Sequence, residues 1–330
     1  MAERSRAGGL LLLVLSACAG PQQLEAPAFE SLPSWQAGEV RDAILGFLEQ
    51  TTVDGAPNYL LPEDRIAVFD HDGTLIVEQP RPVQFDFIYQ RVQTLSFDHP
   101  DWSTAEPYSL AVAGDFAQLD QMSFGARGKL MDAAQSGVSQ DDFEKAAVTF
   151  LSSARHPRFD RPYPEMIYQP MLELIELLHA QQFKVFIVSG GGIEFIRRLS
   201  ETAYGIPRDR VIGSSMKYEL RAQEGVSIIF RKPGFASLNV ARYKAINIQL
   251  HIGRRPVLAV GNSDGDLQML QFADTGADSL VLLLQHDDGV REYQYQDDAV
   301  QVRQAAAERG WQVVSMQRDF KQIFPAESPQ

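Results

Sequence analysis

Asp70 and Asp72 stand two residues apart, directly after the short apolar run Ile66-Ala67-Val68-Phe69. At the end of a strand, two such carboxylates can divide a reaction between them. One can attack a phosphorus atom and form an aspartyl phosphate, an established covalent strategy. The other can protonate the leaving oxygen and later deprotonate the attacking water. The sequence gives Asp70 the first role and Asp72 the second. Gly73, next in line, permits an unusual backbone angle, and amides exposed there can receive phosphate oxygens. Two acids alone could equally form a loop or cap a helix. The chemical reading therefore depends on what the rest of the chain brings to the same place.

The run 66–69 is bounded by Glu63-Asp64-Arg65 and Asp70, which predicts a strand buried on both faces, as in a parallel sheet. Further strands are predicted at 183–188, 210–213, 256–260 and 279–284, and helices at 41–50, 171–180, 194–202 and 241–252. Lys217 to Arg231, with Glu224-Gly225 in the middle, reads as a β-hairpin. Strands alternating with helices predict the α/β class, with a doubly wound, mostly parallel sheet. In such sheets ligands bind beyond the carboxyl ends of the strands. Three predicted strand ends deliver polar residues to that edge: Asp70, then Ser189-Gly190-Gly191-Gly192, then Gly261-Asn262-Ser263-Asp264-Gly265-Asp266. The interval between Asp70 and Ser189 far exceeds one strand–helix–strand step. Residues 80–160 are thus expected to form a mainly helical cap inserted after the first core strand, with a helix at 140–151 and aromatic residues such as Phe85, Phe87, Tyr89, Trp102 and Tyr108.

Asp70-His71-Asp72-Gly73-Thr74-Leu75 after an apolar strand resembles the first motif of the haloacid dehalogenase superfamily, most of whose members are phosphatases. The later motifs follow in the family's order. Val188-Ser189-Gly190-Gly191 resembles the second, Lys244 within Arg242-Tyr243-Lys244-Ala245 the third, and Gly261 to Asp266 the fourth. The match spans roughly residues 60 to 290, and its layout, hairpin included, is most similar to the phosphoserine phosphatase branch. The resemblance implies that Ser189, beside Gly190, binds a phosphoryl oxygen and that Lys244 neutralises nucleophile and phosphate. It implies a Mg2+ ion held by the Asp70 carboxylate, the Asp72 backbone carbonyl and an acid of the fourth motif. It also implies a mobile cap. Physical chemistry agrees: two like unit charges 4 Å apart cost about 4 kcal/mol at an effective dielectric of 20, so a phosphate near Asp70 needs cations.

The fourth motif departs from the family pattern, beginning Gly-Asn rather than Gly-Asp. Asn262 offers only a neutral amide oxygen, so Asp266 is expected as the anionic ligand, with Asp264 as rival. Glu78 and Arg81 are expected to meet substrate; in phosphoserine phosphatases an acid near the position of Glu78 meets the substrate amine. An acid would favour a cationic substrate and an arginine an anionic one. More ordinary roles compete: Ser189 as a helix cap, Lys244 as a solvated helix lysine with Lys232 as its rival, His71 as a filler between the acids, and the cap aromatics as core; His286, after another apparent strand end, either lines the site or closes a turn.

The chain has 330 residues, 45% hydrophobic and 22% charged, with a net charge of −13. That balance gives no electrostatic reason to seek nucleic acid or an anionic membrane surface. Arg4 and Arg6 precede an apolar run at 8–15, too short to span a bilayer, which reads as an export signal. The run ends in Leu15-Ser16-Ala17-Cys18, which resembles the bacterial lipobox and implies a lipid anchor on Cys18. The competing reading is a plain secretory signal. Cys18 is the chain's only cysteine, so it can form no internal disulfide or cysteine-based zinc site. The expected organisation is a signal peptide at 1–18, a tether at 19–34, a core at 35–79 and 161–330, and a cap at 80–160. The expected location is a membrane facing the periplasm, with Ala19 favouring the outer one. The expected reaction is Mg2+-dependent hydrolysis of a small phosphomonoester. A second possibility is another reaction of the superfamily, namely phosphotransfer, phosphonate cleavage or dehalogenation; Asp72 opposes the last, since a halide needs no acid to leave. A third is a catalytically silent lipoprotein that binds a ligand or an envelope partner, which Asn262 favours.

Overall fold

The computed structural model describes residues 32–326; the lipidation residue Cys18 and most of the expected tether lie outside the described residues. The end of that tether needs correction. Leu32 is buried, and the Ser34 backbone N–H donates to Glu173 Oε2 at 2.9 Å. The packed region therefore starts before residue 35.

Helix α1 (Glu39–Thr52) precedes the first strand, β1 (Ile66–Phe69). Val40, Ile44, Phe47, Leu48 and Thr51 are buried, a spacing that puts one helical face against the sheet. A helical insertion follows: α2 (Val83–Leu95), α3 (Tyr108–Ala113), α4 (Phe116–Asp120), α5 (Phe124–Gln135) and α6 (Gln140–Ser153). The chain returns through α7 (Gln169–Ala180), β2 (Lys184–Gly192) and α8 (Ile193–Tyr204). The hairpin of β3 (Val211–Gln223) and β4 (Val226–Ser237) comes next, followed by α9 (Arg242–Ile252) and β5 (Leu258–Gly261). Then come α10 (Leu267–Ala273), β6 (Leu280–Asp287), β7 (Gln294–Tyr295), α11 (Val300–Arg309), β8 (Gln312–Ser315) and α12 (Met316–Asp319).

The strands form one sheet in the order β4-β3-β2-β1-β5-β6-β7, with β8 also pairing β6. β1 lies parallel between β2 and β5, with Phe69 opposite Ile187 on one side and Val260 on the other. The pairs β3–β4 and β6–β7 are antiparallel and the others parallel, so the α/β, mostly parallel sheet read from the sequence is the observed fold. Ala67 and Phe69 enter one apolar layer with Ile187 and Leu258. Val68 enters the other with Val188, Ile212 and Ala259. Burial on both faces explains why β1 is continuously apolar.

Several strands run further than predicted. β2 continues through Ser189 to Gly192, where the register with β3 shifts and Gly192 lies opposite Ser214. β3 is a single strand that pairs with β2 at its start and with β4 for the rest, turning at Glu224-Gly225, both at positive φ. The short elements α10, β7, β8 and α12 carry too few residues for a periodic signal.

The helical insertion is tied to the hairpin. Arg231 of β4 is 2% exposed. Its guanidinium donates to Gln135 O (2.6 Å) and Gln140 Oε1 (2.8 Å) and lies 3.9 Å from the centre of the Phe143 ring. Backbone bonds from Gly137 N–H to Arg231 O and from Arg231 N–H to Val138 O extend the edge of β4 onto the insertion.

Candidate active site

The site begins where β1 ends. The Asp70 N–H donates to Val260 O at 2.9 Å, so the ladder to β5 holds the backbone of the first acid. The chain then turns back on itself: the N–H groups of Thr74, Leu75 and Ile76 all point at His71 O, and Gly73 N–H donates to Ile76 O. Gly73 has φ of 73°, and a Cβ there would collide with Asn262 Nδ2 and Glu78 Oε1. Both facts demand glycine.

Lys244 projects from α9 between two carboxylates. Its Nζ donates to Asp70 Oδ1 (2.5 Å) and Asp266 Oδ1 (2.6 Å), and all three side chains are buried. Lys232 is exposed on β4 and takes no part. Asp266 is fully buried; its Oδ2 accepts from Asn262 N–H (3.0 Å) and Ser263 N–H (3.1 Å). Gly261 makes room for it, since a Cβ there would stand 2.7 Å from Asp266 Cβ.

Burial pushes the Asp70 carboxyl up to about 7, and Asp266 adds to the rise, which Lys244 only partly opposes. Burial alone would lower Lys244, but Asp266 and Asp70 outweigh it and raise its pKa. Negative charge is therefore in excess at this point.

Ser189 is buried at the turn within β2, where its Oγ accepts from Gly191 N–H at 3.0 Å. Gly192 N–H donates to Gln84 Oε1 (2.7 Å), which brings α2 of the insertion onto this loop. A cavity of about 490 Å³ joins these pieces, a size suited to a small ligand. Asp70, Asp72, Glu78, Ser189, Gly190 and Lys244 all line it. Phe85, Ile88, Met131, Leu238 and Val240 give it an apolar side.

The other expected site residues separate in space. Glu78 Oε1 accepts from Asn262 Nδ2 (2.8 Å) and Tyr295 OH (2.7 Å), and burial pushes its carboxyl up to about 8. Arg81 is corrected: it pairs with Asp86 (2.7 Å) and Asp120 (2.9 Å) inside the insertion and does not line the cavity. The arginine that does is Arg127 of α5, which lies 5.1 Å from the centre of the Phe85 ring and whose buried Nε has no partner among the described residues. No sequence signal distinguishes it from a solvated helix arginine.

Asp264 is corrected as a rival ligand, because its Oδ1 accepts from Val302 N–H at 2.8 Å in the first turn of α11. Asn262 Oδ1 accepts from Thr74 Oγ1 at 3.1 Å. His286 closes no turn. It lies buried in β6, stacked on Tyr295, with Nε2 at 2.8 Å from Gly73 O and Nδ1 at 3.2 Å from Glu292 Oε2. His71 is buried too, and its ring lies between Asp72 and Tyr204.

Among the described residues, no group of three or more His, Cys, Asp or Glu side chains is placed to hold a metal by itself. The local donors are still hard oxygens. Asp70 carries the uncompensated charge, the Asp72 carbonyl receives no hydrogen bond among the described residues, and Asn262 Oδ1 keeps a second lone pair. Asp266 Oδ1 accepts from Lys244 and its Oδ2 from two amides, so its charge is already met by protein donors. A small donor set with excess negative charge fits a hard cation that retains part of its water shell.

Residues 67–271 match the family model described as haloacid dehalogenase-like hydrolase. No curated protein matches the chain. A functionally unknown protein from Anaerococcus prevotii is similar in structure with a TM-score of 0.51 at 14% identity, covering 83% of this chain and 91% of its own. A protein of unknown function from Bordetella pertussis Tohama I gives 0.48 at 14% identity, with 76% and 97% covered. A phosphoserine phosphohydrolase-like protein from Francisella tularensis gives 0.41 at 16% identity, with 77% and 95% covered. The first of these supports the α/β fold; at such identities none bears on substrate.

Proposed function

The chain belongs to the haloacid dehalogenase-like hydrolases, and from that membership and the site we propose that it hydrolyses a small phosphomonoester through an aspartyl phosphate on Asp70. The observation that carries the reading is the position of Lys244 Nζ between Asp70 and Asp266, at a cavity that Asp72 and Ser189 also line. Asp70 uses the oxygen not held by Lys244 to attack phosphorus. As the bond to the leaving oxygen breaks, Asp72 gives that oxygen a proton. Asp72, now a carboxylate, takes a proton from the water that attacks the phosphorus next, and Asp70 is released. Ser189 and Gly190 receive the phosphoryl oxygens, while Lys244 offsets their charge.

Mg2+ completes the proposal. The Asp70 carboxylate, the Asp72 backbone carbonyl and Asn262 Oδ1 would hold it, and when bound it supplies the positive charge that lets a phosphate approach Asp70. Residues 80–160 are proposed as the cap over the cavity, and Glu78 as a wall group that meets the substrate. Export and anchoring through Cys18 rest on the leader sequence; Cys18→Ser should move the chain out of the membrane fraction, and a variant that stays bound would refute the anchor.

The direct test is turnover of a chromogenic aryl phosphate by protein lacking residues 1–18. Activity should need Mg2+ and vanish on chelation. Proton and cation compete for Asp70, whose carboxyl is raised to about 7. The Mg2+ concentration for half-activation should therefore climb as pH falls through about 7 and drop above it. A half-activation point that stays flat across that range would contradict this placement of the ion. A silent ligand-binding lipoprotein is the second reading. It is favoured by the fourth motif, whose Asn262, Asp264 and Asp266 are all engaged in protein contacts. Absence of turnover across a panel of phosphate esters would establish it over the first.

A further inference from the structure

We propose that His71 and Tyr204 are positioning residues that fix which oxygen of Asp72 carries the proton delivered to the leaving group. The inference rests on the reading of Asp72 as the general acid. It starts from a side chain that the spacing of the two acids does not require. Any residue that fits an extended backbone could separate Asp70 from Asp72, and a buried position would favour an apolar one. Here the separator is a histidine, 1% exposed, with both ring nitrogens in contact.

Nε2 lies 3.1 Å from Tyr204 OH, and Nδ1 lies 3.2 Å from Asp72 Oδ1. Tyr204 is the last residue of α8 and is itself buried. The helix that starts at the phosphate-binding loop thus ends against the loop that holds the nucleophile.

The directions of these bonds follow from what each group can do. The phenol has a hydrogen to give, and among the described residues His71 Nε2 is its only hydrogen-bond partner. A neutral imidazole that accepts at Nε2 carries its one hydrogen on Nδ1. Nδ1–H then donates to Asp72 Oδ1. A protonated carboxyl group has one accepting oxygen and one hydroxyl. With Oδ1 held as the acceptor, the hydrogen sits on Oδ2. Asp72 lines the cavity while His71 lies sealed behind it, so Oδ2 is the oxygen left to face the substrate.

The chain of donors runs Tyr204 to His71 to Asp72 and ends at the leaving group. When the bond from phosphorus to the leaving oxygen breaks, the Oδ2 hydrogen passes to that oxygen and Asp72 becomes a carboxylate. Oδ1 keeps the bond from His71 throughout. No proton crosses the imidazole.

The experiment compares kcat/KM on a graded series of esters, from nitrophenyl phosphate, whose leaving group needs little protonation, to simple alkyl phosphates, which need it fully. His71→Leu should lose roughly tenfold to a hundredfold on alkyl esters and only a few-fold on the nitrophenyl ester. His71→Asn, whose amide N–H can reach the place of Nδ1, should recover most of the loss. Tyr204→Phe, which removes one hydroxyl group and serves if His71→Leu does not fold, should show the same bias to a smaller degree. A purely structural role for His71 would lower all the esters alike, and that result, or no loss on alkyl esters, overturns the proposal. Asp72→Asn separates the two levels of the claim. If it shows the alkyl-selective loss and neither His71→Leu nor Tyr204→Phe does, the inference fails while the acid role stands. If Asp72→Asn shows no such bias, the acid role fails and takes the inference with it.

Discussion

Asp70→Asn should abolish turnover, with a loss on the order of 10⁵-fold or more, while the fold stays intact or becomes firmer. The loss follows from removing the atom that attacks phosphorus; an amide oxygen is no substitute for a carboxylate. The gain in stability follows from the charge balance. The Asp70 carboxyl is raised from 3.8 to about 7 by burial and by the neighbouring Asp266, against the opposing pull of Lys244. Between those two values the folded chain holds a proton that the unfolded chain has lost. Stability supplied by that proton is present at low pH and declines as pH rises through about 7. Above that point an ionised Asp70 is a cost, which asparagine removes at almost unchanged shape. Thermal unfolding in the absence of added metal should show the variant at or above the wild type near pH 8, with the gap closing toward pH 4. A variant clearly less stable at pH 8 would show that the pair with Lys244 outweighs burial.

Lys244→Met should fail on both counts. Among the described residues, Lys244 is the one cation that reaches both Asp70 and Asp266. Removing one partner from a buried ion pair leaves uncompensated charge and typically costs about 3–5 kcal/mol. Turnover should disappear as well, because the nucleophile and the incoming phosphate both lose their fixed counter-charge. The double change Lys244→Met with Asp70→Asn should recover part of the stability and none of the activity. Asp266 would still be held by the amides of Asn262 and Ser263, and coupling of this kind is expected between residues in direct contact. A Lys244→Met protein as stable as the wild type would mean that the two carboxylates share a proton rather than a cation.

The sheet was readable because its central strand is apolar at every position and polar immediately afterwards, a contrast that follows from burial on both faces. The turn at Glu224-Gly225 was readable because both residues adopt positive φ, which few sequences tolerate. Ser189, Lys244 and the 261–266 loop could be placed at one edge because strand ends in such a sheet share that edge.

What stayed hidden depends on partners remote in the chain. Arg81 is drawn from the cavity by Asp120, and nothing local marks that carboxylate as its partner. Arg127 faces the cavity through the packing of α5 on α2. Asp264 caps a helix that begins only at residue 300. His71 meets Tyr204 across 133 positions, so it reads as a filler until α8 is in place. His286 reads as a turn residue because the strand that carries it continues past its apolar run to Asp287.

The central claim is a covalent bond between Asp70 and phosphorus. Quenching the wild-type protein in acid during its first turnover of an aryl phosphate, then reducing with borohydride, converts a phosphorylated aspartate to homoserine that peptide mass spectrometry can locate. Homoserine should appear at position 70. Release of phosphate with the label at Asp72 or Asp266, or with no label at all, would contradict the account.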